Sequence, residues 1–192
     1  MMPASFRDQL VEMNACREAI EWVGDRDLVT AWMTCQRADW MLWLAARLLP
    51  DDPRVILAVC ACARTALQYV PAGEERPRLA IEAAERYATN PSADNMNAAS
   101  AAGDAARAAA CDAARAAVCD AAWAAAGATA WATAWVAGTA AWAAGDAARS
   151  AFAAASAARA AAGDAARDAA YQQMCGLIRE IIPRLRVNDS ET

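Results

Sequence analysis

The chain reads as an all-α protein, a compact multi-helix bundle of about seven helices with long alanine-rich helices in its C-terminal half. Three observations predict it. The first ninety residues divide into segments whose apolar residues recur at helical spacing. The run from Ala98 to Ala170 is dominated by alanine, the strongest helix former. The stops and starts between segments are helix punctuation: Pro50, Pro71, the Asn90-Pro91 pair and the Gly-Asp junctions at 103/104, 145/146 and 163/164. At 192 residues the chain is long enough for one domain with a real core and short for two. The expected organisation is a single all-helical domain over 1–192: amphipathic helices over 1–90, alanine-rich helices packed on them over 91–183, and a frayed tail over 184–192.

Helix one is expected over 5–23. Ser5 with Asp8 forms a variant of the capping box, Gly24 closes the segment, and Leu10, Met13, Ile20 and Trp22 supply the apolar face. Asp25 then caps a second helix, DLVTAWMTCQRADWMLWLAARLL, which Pro50 ends. Trp32, Trp40 and Trp43 fall within about a quarter turn of one another at 100° per residue, the pattern of a core stripe. Asp52 before Pro53 starts the third helix, which runs to Pro71; Pro77 starts the fourth, which Asn90-Pro91 stops.

The alanine run carries an eight-residue repeat from Gly103 to Ala134: GDAARAAA, CDAARAAV, CDAAWAAA, GATAWATA. Eight residues advance about 80° beyond two turns, so the Asp and Arg residues spiral and form no single charged stripe. Asp104/Arg107, Asp112/Arg115, Asp146/Arg149 and Asp164/Arg167 read as solubilising i,i+3 pairs. A continuous 73-residue helix would extend about 110 Å, so the run must fold back. Breaks are expected near Gly127 and Gly145, with Gly163 read through and a final helix from Asp164 to about Ile182, its apolar stripe being Tyr171, Met174, Leu177, Ile178 and Ile181. Trp123, Trp131, Trp135 and Trp142 occupy an arc of about 120° on an unbroken wheel, suited to a seam against the first half.

Composition excludes several function classes. A net charge of -5 opposes nucleic-acid binding, which needs a basic face. The uncharged window Ala121–Gly145 is long enough to cross a bilayer, but Val136 is its only aliphatic residue larger than alanine, so a membrane span is not expected. The N-terminus lacks a signal-peptide core, and seven cysteines without CxxC pairs or histidine read as reduced thiols in a cytoplasmic protein. Cys60 and Cys62, about 200° apart on a helix, suit a buried core better than a chelate. Three scattered threonines in the tract, at 129, 133 and 139, give no ice-binding ladder.

Catalysis has little to work with. There is no histidine, no lysine, no phosphate-cradling loop and no HExxH or GxSxG pattern, so a non-catalytic protein without cofactor or metal is expected. The candidate partner-binding residues are Asp39, Arg64, Arg76 and Arg78, placed together as a polar cluster at one end of the bundle.

The elements CQRADWMLWL (35–44), CARTAL (62–67) and ERPRLAIEAAERY (75–87), followed by a long alanine-rich tract and the amphipathic end YQQMCGLIREIIP, resemble a bacterial immunity protein family, the immunity-five-like group. The eight-residue repeat departs from it. The resemblance implies an all-helical cytoplasmic protein that neutralises a cognate toxin by direct protein contact, with no shared catalytic residue. Two alternatives stand beside it: an anti-defence inhibitor carried by a phage or mobile element, and a small-ligand-binding helical protein or enzyme with a pocket lined by arginine and tryptophan.

Overall fold

A computed structural model describes residues 5–115, 149, 153, 154, 156, 157, 159, 160 and 162–185. Among them are eight α-helices of defined bounds: α1 (Phe6–Glu12), α2 (Arg17–Val23), α3 (Leu28–Thr34), α4 (Ala38–Leu48), α5 (Pro53–Arg64), α6 (Arg76–Thr89), α7 (Ala93–Arg115) and α8 (Asp164–Ile181). A single 3-10 turn, Leu67–Tyr69, follows α5. The described residues contain no strand, and the all-α bundle expected from the sequence is what they form.

The predicted start signals work as local chemistry. Ser5 and Asp8 form the full capping box, with Asp8 N donating to Ser5 Oγ at 3.2 Å and Ser5 N to Asp8 Oδ2 at 3.1 Å. Asp52 caps α5 with Pro53 in its first turn, and Asn90 ends α6.

The first two expected helices are each broken in two. Helix one stops at Glu12 because Asn14 adopts φ +59°. Asn14 N donates to Val11 O at 3.0 Å and Ala15 N to Leu10 O at 2.9 Å, the paired bonds of a Schellman end, for which asparagine is the usual substitute for glycine. The second helix is capped by Asp27, not Asp25, through Thr30 N at 2.6 Å. It breaks again at Cys35–Arg37, where Cys35 is extended (ψ 133°). The third expected helix is also shorter: it ends at Arg64, and residues on to Pro71 form the 3-10 turn and a loop.

Core packing is built around α5 and α8. Along α8, Tyr171, Met174, Cys175 and Ile178 are buried, a single stripe at i, i+3, i+4 and i+7, and Ile182 continues it. That stripe meets Leu42 and Met41 of α4 and Val55, Val59 and Cys62 of α5 in one core cluster. On its other side α5 packs against α6. The Cys60–Ile81 and Arg64–Glu85 contacts share a sequence offset of 21 residues, so the two helices advance in the same direction along this seam. α6 then packs on α7 through small residues, Ala80 against Ala106 and Ala102. Ala154 and Ala157 are buried in the main cluster as well.

The two Gly-Asp junctions that can be compared behave oppositely. At 103/104 the chain runs through as helix inside α7, with Gly103 buried. At 163/164 it breaks: Gly163 has φ +86°, ψ -174° and begins α8, so the glycine expected to be read through is the stop. Asp104–Arg107 forms its exposed i,i+3 pair at 2.6 Å, and Asp164–Arg167 lies at 3.5 Å. The tail expected to fray from 184 still holds Leu185 in the core at 5 % exposure. The expected breaks near 127 and 145, the seam of Trp123, Trp131, Trp135 and Trp142, the Asp146/Arg149 pairing and residues 186–192 lie outside the described residues, as do the side chains of the Asp112/Arg115 pair, whose backbone belongs to α7. No described helix is long and apolar enough to cross a membrane.

Candidate functional site

A tryptophan and arginine ladder runs from α2 across α4 to α8. Its first rung is local: Gly24, at φ +52°, turns the chain out of α2 so that Arg26 folds back over it. The Arg26 guanidinium donates to the carbonyls of Trp22 and Val23 and lies 5.0 Å from the Trp22 ring centroid. Trp22 meets Trp40 at 5.9 Å with their planes tilted by 57°, within the favoured range for aromatic pairs. Arg37, which the break before α4 places at its N-cap, lies 4.6 Å from the Trp40 ring and 5.3 Å from the ring of Tyr171 on α8.

Asp39 fixes Arg37 in that position. Arg37 Nε donates to Oδ1 at 2.9 Å and Nη2 to Oδ2 at 2.7 Å, a two-point grip that orients the guanidinium plane. This hydrogen bonding raises the Arg37 pKa further above its ordinary value, against the desolvation that opposes it. Burial pushes the Tyr171 hydroxyl up to about 12; the Asp39 charge adds to the effect and Arg37 opposes it.

The ladder is a partition between two concavities. On one side is a mainly apolar cavity of about 310 Å³, walled by Phe6, Leu10, Trp32, Met41, Trp43 and Leu44. On the other is an open cleft of about 730 Å³ between the α2–α4 segment and α8, where Arg26, Arg37 and Arg167 converge with Gln36 and Gln172. Trp22, Arg37 and Trp40 border both. Of the stripe expected as core, Trp32 is buried at 3 % exposure, Trp40 and Trp43 are partly exposed and packed against the same core cluster, and all three border the apolar cavity.

The four predicted site residues do not assemble. Asp39 is paired with Arg37. Arg64 grips Glu85 across the α5–α6 seam at 2.9 and 2.6 Å. Arg76 bonds Glu74, with Nε to Oε1 at 2.8 Å, and Arg78 bonds Glu75 at 2.6 Å and Glu82. Each arginine has a carboxylate nearer in space than Asp39, so the expected end cluster dissolves into separate pairs. Only Asp39 belongs to the ladder. Trp22, Arg26, Arg37 and Tyr171 were not singled out from the sequence as a site, although the spacings Trp22/Arg26, Arg37/Trp40 and Trp43/Arg47 are the i,i+3 and i,i+4 intervals at which helical neighbours meet. Arg47 indeed lies 5.5 Å from the Trp43 ring.

Four thiols are core residues among those described. Cys35, Cys60, Cys62 and Cys175 are free and buried, whereas Cys16 is exposed. Cys60 contacts Ile81 O of α6 at 3.9 Å, and Cys62 lies in the core cluster that also holds Cys175 of α8. Burial pushes all four thiols up, Cys175 to about 12. Among the described residues no group of three or more Cys, Asp or Glu side chains is arranged to hold a metal ion.

Fold and site together define an all-α protein with a concave surface lined by tryptophan, tyrosine and arginine. Comparison of the chain with family models, curated proteins and solved structures found no match in any of the three.

Proposed function

We propose that this is a non-catalytic binding protein that works through the arginine and tryptophan cleft, and that its partner is another protein. The observation that carries the reading is the composition of the cleft: Trp22, Trp40, Tyr171, Arg26, Arg37 and Arg167 converge on one concave surface. Tryptophan, tyrosine and arginine are the residues that dominate binding energy at protein interfaces. The rings are held by guanidiniums and Arg37 by Asp39, so little rotamer freedom remains to be lost on association. Two of the cleft's three arginines are paired, Arg37 with Asp39 and Arg167 with Asp164 and Asp168, while Arg26 bonds main-chain carbonyls. Arg26 is therefore the charge that favours a partner segment bearing a carboxylate beside an apolar or aromatic residue.

The sequence resemblance to immunity proteins supplies the class of partner, a cognate bacterial toxin occluded by direct contact in the cytoplasm. Co-expression with a toxin encoded beside this gene should restore growth and yield a co-purifying pair. Arg26→Glu, which reverses an exposed charge at the cleft, should weaken that pair at least about tenfold (about 1.4 kcal/mol). Cell death despite soluble protein rules out immunity to that toxin. A complex indifferent to Arg26→Glu and to Trp40→Ala in folded variants moves the interface elsewhere.

A further inference from the structure

The cavity behind the ladder has properties of its own. Its volume of about 310 Å³ is about twice that of a dry, apolar engineered cavity of ~150 Å³ that accommodates benzene. Trp22, Trp32, Trp40 and Trp43 contribute to its walls with Met41 and Leu44, so ring edges and faces are available to a flat guest at offset or edge-to-face angles. Phe6 and Leu10 of α1 and Ala19, Trp22 and Val23 of α2 contribute to the same walls, from two seven-residue helices joined by the turn at Asn14. Cys16 and Glu18, both lining and both exposed, mark an opening at the start of α2.

Charge on the lining selects the guest. Besides exposed Glu18, the charged lining groups are Arg37 and Asp39, and these spend their hydrogen bonds on each other. A charged guest would leave water without a partner inside. A cationic one would also find the rings of Trp22, Trp40 and Trp43 each already carrying a guanidinium. A neutral guest incurs neither cost and takes apolar surface out of water.

We propose that this cavity is a binding site for a small neutral apolar molecule, about two fused aromatic rings in size by comparison with the benzene-sized cavity, entering past Cys16 and Glu18. The site lies across Trp22, Arg37 and Trp40 from the cleft proposed to hold a protein partner and shares those walls with it, and its test needs only the purified full chain. The probe is 2-naphthol, with 2-naphthoate and 2-naphthylmethylammonium as charged counterparts on the same ring system. Calorimetric titration near pH 7 should give one 2-naphthol per chain and a rise in Tm with probe concentration, with each charged counterpart bound at least about tenfold more weakly. Ala19→Phe, which adds a ring to the lining from α2, should abolish binding while helical circular dichroism persists. In the unsubstituted chain, nuclear Overhauser contacts from 2-naphthol to the Met41 and Leu44 methyl groups place the probe whether or not that variant folds. Absence of saturable binding, equal affinity for the three probes, binding retained by folded Ala19→Phe, or a saturated sample without the Met41 and Leu44 contacts each overturns the proposal.

Discussion

Trp32 and Arg179 hold each other's helix ends. The Trp32 indole Nε1 donates to the carbonyl of Ile182, just past α8, at 3.2 Å. Arg179 on α8 returns the contact, donating through Nε to the Trp32 carbonyl at 3.1 Å and through Nη2 to that of Cys35. Helix C-termini expose carbonyls that need donors, and here two helices about 150 residues apart in sequence exchange side chains to supply them.

Removing either side of that exchange should destabilise the whole bundle. Trp32→Phe keeps the ring and leaves the Ile182 carbonyl short of a donor beside a fully buried side chain, at an expected cost of about 1–3 kcal/mol. Arg179→Met retains the aliphatic stem and loses two charge-assisted bonds, at about 1.5–3 kcal/mol before a discount for partial exposure. Urea unfolding of both single variants and the double should show a coupling above about 0.5 kcal/mol. Strict additivity would mean that the two contacts are independent.

Two glycines in one region should respond to alanine in opposite directions. Gly163, at φ +86° and ψ -174°, occupies a region reserved for glycine, so Gly163→Ala should cost about 1–3 kcal/mol although nothing lies within 4 Å of the added Cβ. Gly176 lies within α8 and also has open space there. Gly176→Ala should therefore stabilise by about 0.4–1 kcal/mol, from helix propensity and a less flexible unfolded chain. Thermal unfolding of the pair decides the matter, and a stabilising Gly163→Ala would refute the assigned backbone.

Buried thiols should make the fold sensitive to alkali. Cys60 and Cys62 are held protonated well above the ordinary thiol value of 9.0 by burial, and Cys175 up to about 12. In the unfolded chain the same thiols ionise around pH 8.5–9. Above that range the unfolded state binds fewer protons than the folded one, so stability is complete below about pH 8 and falls as pH rises toward the folded values. Each group contributes a slope of up to about 1.4 kcal/mol per pH unit. Urea midpoints between pH 8 and 10.5 should decline, and Cys60→Ala/Cys62→Ala should flatten the decline while lowering stability near neutrality. An unchanged slope in that variant would place the titrating groups elsewhere.

What was legible in the chain is local chemistry. Ser5/Asp8, Asp52-Pro53 and Asn90-Pro91 set helix ends through contacts within a few residues, and the α8 stripe follows from periodicity alone. The break at Asn14 depends on an asparagine taking a left-handed conformation that it only sometimes adopts. The break at Cys35–Arg37 has no glycine, proline or asparagine to announce it; the carbonyls of Trp32 and Cys35 are taken by Arg179, from the far end of the sequence. The two Gly-Asp junctions are alike in residues but not in outcome, since buried Gly103 lies within a helix packed on α6 while exposed Gly163 does not. The pairings of the expected site residues have a related origin. Arg64, Arg76 and Arg78 have glutamates at hand, whereas Asp39 has Arg37 two positions away, a pairing that only the extended backbone before α4 permits.

That last pair gives an asymmetric prediction. Arg37 retains 36 % of its side-chain exposure and Asp39 11 %, so the loss of one partner strands the other in different surroundings. Asp39→Ala leaves a guanidinium that can still hydrate and still stack on Trp40 and Tyr171, and should cost about 1 kcal/mol or less in stability. Arg37→Ala strands a mostly buried carboxylate beside the indole and phenol rings and removes the stacking, at about 2–3 kcal/mol after allowing for solvent at the arginine. Arg37→Lys should recover little, because an ammonium cannot reproduce the two-point grip or the planar stack. Urea unfolding of the three variants should rank Asp39→Ala as mildest. If Arg37→Ala is no worse than Asp39→Ala, the carboxylate is not isolated from water and the ladder is held by its rings rather than by the ion pair.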